Sequence, residues 1–211
     1  MIWRLLALSW AVLWGAAGAG PVAAAAGVVP ATAATGEDAD WPCVQRLVPE
    51  IAPGMIWAGP PLDSVEGQAN PVIDELAGEL AARRVPLEQA EAQAGAFAAT
   101  LADGPKDEQL TRLFARTLEI INSDRSSIIQ GIRKYARGQR ALAETITEKN
   151  ERLSELPKDQ VVERDTLIAE RDWDIRIYDD RARSLTYLCE QPVLLEQRAF
   201  ALARTIASHL E

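Results

Sequence analysis

Six carboxylates, Asp165, Glu170, Asp172, Asp174, Asp179 and Asp180, form the densest group of side chains that could do chemistry in this sequence. Binding a cation or passing a proton would require at least two of them to be brought together out of water, so that their pKa values separate. Their spacing points elsewhere. Asp172 and Arg176, like Asp179 and Arg183, stand four residues apart, the separation of ion pairs along a helix, so a solvated helical face is expected. The sole histidine, His209, stands third from the end of the sequence, where a lone histidine is expected in solvent, so a Ser-His-Asp or Cys-His site is not expected, and histidine and cysteine ligands at zinc spacing are missing. Glycine-rich phosphate loops, dinucleotide fingerprints and calcium loops are absent from the sequence. No catalytic residue, metal site or cofactor is therefore expected. The remaining reactive pair is Cys43 and Cys189, far apart in the chain and with neither a neighbouring histidine nor an obvious helix N-terminus to favour a thiolate; a structural disulfide is the expectation.

These residues sit on an all-α frame. Phe114, Leu118, Ile121, Ile128, Ile132, Tyr135, Leu142, Ile146, Leu153 and Leu156 fall on one alternation of three and four, interrupted only by Arg125, Gln139 and Lys149. This predicts a long helix over about 106–156 with a coiled-coil face. Pro157, Lys158 and Asp159 make a tight turn, with Asp159 as N-cap of a helix over about 159–191. Its seam is Val161, Ile168, Ile175, Tyr178, Ala182, Leu185 and Cys189, with Arg164 and Arg171 as polar members. Pro192 should kink or break it, leaving a terminal helix over about 193–210. A three-residue turn forces the two long helices antiparallel. Asn70 and Pro71 cap and start a short helix over about 71–84, and Pro86 a second over about 86–102. The short helices cover one end of the hairpin, and the other end projects as a two-helix arm.

Ahead of the helices, five prolines between Pro42 and Pro61 are mixed with Trp41, Leu47, Ile51 and Trp57. Such a segment cannot be a regular helix yet has apolar side chains to bury, so residues 41–63 are expected as an extended strap lying across the helices. Residues 27–40 are expected as a flexible linker. Residues 1–26 have the layout of a secretory signal peptide: Arg4, an apolar run, then small residues, with cleavage between 19 and 26. The alternative is an uncleaved inner-membrane anchor. Residues 41–211 then form one helical domain. The formal charge of -9 repels phosphate backbones and anionic lipid heads, which argues against nucleic-acid and peripheral membrane binding.

An ideal hairpin turning at Pro157 puts Cys189 opposite Arg125, where the strap must also pack, so the disulfide would pin the strap to the base. Gly131 and Gly138, seven apart on one flank of the first long helix, call for close approach of another backbone. Trp173 departs from the seam and is either packed against a neighbouring element, the preferred expectation, or exposed as an interface anchor.

The segment Asp40-Trp41-Pro42-Cys43-Val44-Gln45, with Trp57-Ala58-Gly59-Pro60 and Leu188-Cys189-Glu190-Gln191-Pro192, resembles uncharacterised exported helical proteins of proteobacteria. The resemblance implies a periplasmic address and transfers no catalytic residue. The expected function is non-enzymatic: an interaction or scaffolding protein that presents its helical arm to a periplasmic or envelope protein, with Trp173 and Lys158 as contact residues. Self-pairing of the arm into a homodimer is open. A second class is a small-ligand binder using a cleft between strap and base lined by Trp41, Trp57 and Arg125. A third is a carboxylate-based enzyme.

Overall fold

A computed structural model describes residues 40–65, 67 and 70–211; the signal peptide expected over 1–26 and the linker expected over 27–40, except residue 40, lie outside the described residues. The strap is not extended throughout, because the chain closes 3-10 turns at Pro53–Met55 and Leu62–Val65, and four α-helices follow it: α1 (Pro71–Ala81), α2 (Leu87–Thr100), α3 (Lys106–Glu155) and α4 (Val161–Ala207). Among the described residues there is no strand, and no helix is long and apolar enough to cross a membrane.

Helix α1 starts as expected. The Asn70 side chain accepts from the Val72 and Ile73 amides, and Pro71 fills the first helical position, whose N–H would be unpaired in any case. It stops at Ala81 rather than Arg84, because Arg198 of α4 donates to the carbonyls of Leu80 and Val85 and draws the chain away from the helix axis. Helix α2 buries Ala90, Ala94 and Ala98, a face small enough to lie close on α4. These two helices and the proximal halves of α3 and α4 enclose the core, with Ile73, Leu80, Leu110, Leu113, Phe114, Ile121, Leu195, Leu202 and Ile206 all at most 1% exposed.

Helices α3 and α4 form the antiparallel hairpin. The predicted register holds to within a turn: Arg125 donates to the carbonyl of Pro192, just beyond Cys189, and Gln139 to that of Tyr178. Pro192 does not break α4, which runs through it as one helix of 47 residues. A proline inside a helix costs about 3 kcal/mol, and here the disulfide at Cys189, the Arg125 contact and the burial of Pro192 itself hold both sides in line. Asp159 does not cap α4; Gln160 occupies that position without a side-chain bond. The turn is closed from the other side, by Arg164 donating to the carbonyls of Leu153 and Leu156 at the end of α3.

The seams are rotated from the expected ones. On α3, Arg125, Ile132, Gln139 and Leu153 are buried, but their companions are Ile129 and Ala136, while Ile128 and Tyr135 are only half-buried. The physical reason is that α3 has to face α4 and the strap together. On α4, Leu167 is buried whereas Val161, Ile175 and Ala182 are exposed. Lys149 reaches Asp174 at 2.8 Å and Glu170 at 3.4 Å, so ion pairs occupy ground expected for aliphatic packing. Gly131 and Gly138 face open space, and no second backbone approaches either.

Candidate functional sites on the strap and the arm

The strap is held by three different devices. Cys43 and Cys189 form a disulfide with Cα atoms 5.6 Å apart, closing a loop of 146 residues. In the chain-entropy view such a loop contributes about 3 to 5 kcal/mol, and the bond suits an oxidising compartment. Arg125, 2% exposed, donates to the carbonyls of Val48 (3.1 Å), Pro49 (3.5 Å) and Pro192 (3.3 Å). Burial pushes its pKa down, and the Glu196 carboxylate 3.9 Å away offsets that in part. One fork-shaped guanidinium thus satisfies carbonyls that a proline-rich strap cannot pair with its own amides. Asn122 adds a reciprocal pair, accepting from the Ile51 amide at 3.0 Å and donating to its carbonyl at 3.1 Å, which seats Ile51 in the core.

The two strap tryptophans are spent on different tasks. Trp57 stacks on Phe114 with centroids 4.4 Å apart and donates to the Pro60 carbonyl. A Cβ on Gly59 would stand 2.5 Å from that indole and 2.6 Å from Leu210, so glycine is required there. Trp41 donates to the Gln45 carbonyl and borders a 240 Å³ recess with Ala136, Gln139, Arg140 and Tyr178. Beside it, Asp40 pairs with Arg140 and with Arg137 (2.8 Å), and Arg140 first, then Arg137, holds its carboxyl below the usual carboxylate range.

Trp41, Trp57 and Arg125 therefore do not line one cleft. Trp57 is in the core packing and Arg125 has its donors committed to backbone. A cleft of about 740 Å³ is instead lined by Glu50, Asp63, Asp74, Arg112, Arg116 and Asn122 among others. Its arginines are paired: Arg116 with Asp74 at 3.3 Å and Glu119 at 2.6 Å, Arg112 with Glu108 at 2.6 Å. Hydrogen bonding to Glu119 raises the Arg116 pKa.

The acidic stretch of α4 lies on the arm. Among the described residues no aspartate or glutamate is buried, and no group of histidine, cysteine and carboxylate side chains could hold a metal ion. The ion pairs differ from those expected: Asp172 pairs with its neighbour Arg171 (2.7 Å) and not with Arg176, and Arg183 pairs with Asp180 and not with Asp179. Arg176 instead lies 5.9 Å from the Trp173 ring centroid. Trp173 itself is 60% exposed rather than packed, and Lys158 is exposed in the turn at the tip. The hydrogen bond and charge of Asp174, foremost, raise the Lys149 pKa.

Residues that sequence reasoning missed are the connectors Asn122 and Arg198, and Arg164, expected as a polar member of the seam, proves to close the turn. Arg198 is 7% exposed and its pKa is lowered by burial. A lone arginine on an alanine-rich helical face was its only signal. Comparisons with known protein families, curated proteins and solved structures give no match to this chain.

Proposed function

We propose that this chain is a periplasmic, non-enzymatic interaction protein that works by presenting its two-helix arm to another helix-bearing surface. The observation that carries this reading is the contrast between how the arm is built and what it displays. Beyond the level of Gln139 on α3 and Tyr178 on α4, Leu153 and Leu167 are the buried residues, while Val161, Val162, Trp173 and Ile175 of α4 are exposed, as is Tyr187 nearer the base. An isolated two-helix hairpin leaves half of its apolar surface in water, and tryptophan and tyrosine at such positions are the usual anchors of an interface. The disulfide supports an exported location, and the arginine-clamped strap supports a base rigid enough to carry a lever.

The test is site-specific photo-crosslinking in cells, with a photoreactive residue at Trp173 and, separately, at Lys158. Crosslinks from both positions to protein, but none from Arg46 on the strap, are expected. Absence of any crosslink from the arm would end the reading.

The 740 Å³ cleft favours a second reading, a small-ligand site, since its size suits a metabolite. A thermal-shift screen with small polar metabolites should then raise the melting temperature, and Asp74→Ala should abolish that rise.

A further inference from the structure

Beyond its contact with α3, helix α4 carries a second seam on its outer side. Val162, Thr166, Ala169, Trp173, Arg176, Asp180, Arg183, Tyr187, Glu190 and Leu194 follow an unbroken alternation of four and three, and every one of them is exposed. At 100° per residue the large apolar members Val162, Trp173, Tyr187 and Leu194 fall within an arc of about 60°. The same face continues toward the base, and there it is covered: Arg198 reaches the carbonyls of Leu80 and Val85, and Thr205 bonds to Glu91. The turn between α1 and α2 therefore forms a shoulder at which the covered part ends and the bare part begins.

We propose that a second copy of this chain occupies the bare seam, lying antiparallel about a two-fold axis at Tyr178. The inference rests on the arm being a docking element and names its occupant. A two-fold interface must be self-complementary, residue i meeting j and j meeting i. With the axis at Tyr178 the seam pairs Val162 with Leu194, Ala169 with Tyr187, Trp173 with Arg183 and Arg176 with Asp180. These four pairings are chemically matched, aliphatic on aliphatic, large into small, aromatic under guanidinium, cation against anion, and the fifth sets polar Thr166 beside Glu190. Shifting the axis two residues, to Asp180, would set Asp180 against Asp180 and leave Trp173 facing Tyr187 without its arginine. Within a single copy Arg176 already leans on Trp173 and Arg183 on Asp180, so the same four groups exchange partners across the axis.

Charge over a longer range agrees. Between Glu144 and Asp180 twelve carboxylates face six lysines and arginines, whereas Arg133, Lys134, Arg137, Arg140, Arg181 and Arg183 lie nearer the base. Two arms side by side and parallel would place acidic tip against acidic tip. Antiparallel, each tip with Asp159 and Glu163 comes to the partner's shoulder, where Arg83 and Arg84 are exposed. The seam is about 48 Å long and would bury on the order of 1,000 Å² in total, the small end of specific interfaces, so a dimer of roughly micromolar affinity is expected.

Sedimentation velocity on the oxidised chain should show a monomer–dimer equilibrium. Arg176→Asp and Asp180→Arg should each weaken it at least about tenfold, since each sets like charges together twice across the axis. An equimolar mixture of the two variants should recover a dimer, because in the mixed pair both contacts are opposite in sign. Ala169→Arg, which fills the small position facing Tyr187, should also give a monomer, with helicity by circular dichroism unchanged in all three. A wild-type chain that stays monomeric into the high micromolar range, variants that dimerise as well as wild type, or a mixture that stays monomeric would overturn the proposal. If the chain is monomeric while Trp173 crosslinks to a different protein, the second copy is ruled out and the arm remains a docking element; if nothing crosslinks, both fail.

Discussion

The base and the arm are built from the same two helices by different rules. In the base, α3 and α4 are enclosed by two short helices and a strap, and their facing residues are fully buried aliphatics such as Leu113, Ile121, Leu195 and Leu202. In the arm, beyond the start of the strap at Asp40 and Trp41, no other described element lies over them, and the space between them is shared by Leu153 and Leu167 with Lys149, Asp174, Arg171 and Asn150. The difference teaches that heptad spacing alone does not make a dry seam. A helix pair without further layers cannot remove both of its flanks from water, so long polar side chains that keep their charged ends wet serve there as well as leucine does.

The sharpest way to break this contrast is to cut the strap loose. Replacing both cysteines with serine removes the cross-link over 146 residues and should lower the unfolding free energy by about 3 to 5 kcal/mol. Denaturant titration measures it, and the unaltered chain, denatured without reductant, should show no free thiol. Next in size are paired leucine truncations. Leu113→Ala or Leu202→Ala in the base should cost about 3 to 5 kcal/mol, and Leu153→Ala or Leu167→Ala in the arm about 2, because the arm can relax and admit water. Hydrogen exchange on the same variants should show arm amides exchanging well before those of the base; equal losses in the two regions would erase the distinction.

Gly59→Ala should cost about 1 to 3 kcal/mol by overpacking, since Trp57 is pinned on Phe114 and cannot yield. By contrast, Gly131→Ala and Gly138→Ala, in open space on α3, should each stabilise by about 1 kcal/mol. The smallest effect concerns acid. Asp40 is more acidic folded than its ordinary value of 3.8, so its contribution is complete above that pH and disappears as the pH falls through the lower folded value. NMR titration of its carboxyl should show the depressed value, and Arg140→Ala should bring it back toward 3.8.

Much of this architecture was legible in the chain. Asn70-Pro71, the break at Pro157 and the repeat through α3 are local signals, and local signals set where helices begin and how neighbouring ones must turn. The disulfide was legible for a related reason: two helices of known rise, folded at a known proline, bring Cys189 to the level where a strap must cross. The candidate site was less so. That Trp173 is off the seam could be read from spacing, but whether it is covered depends on how far α1 and α2 reach along α4, which no local pattern states.

By itself the sequence determined the helix count up to Pro192, the hairpin, the strap and its cross-link, since these follow from periodicity, proline geometry and cysteine pairing. Only the tertiary structure decided the rest. Pro192 stays helical because Arg125 and the disulfide hold it, α3 turns Ile129 and Ala136 inward because the strap lies on that flank, and Arg125 and Arg198 are buried because distant carbonyls needed donors. These outcomes come from contacts between residues remote in the chain, where the competition is between whole arrangements of partners and not between the preferences of single residues.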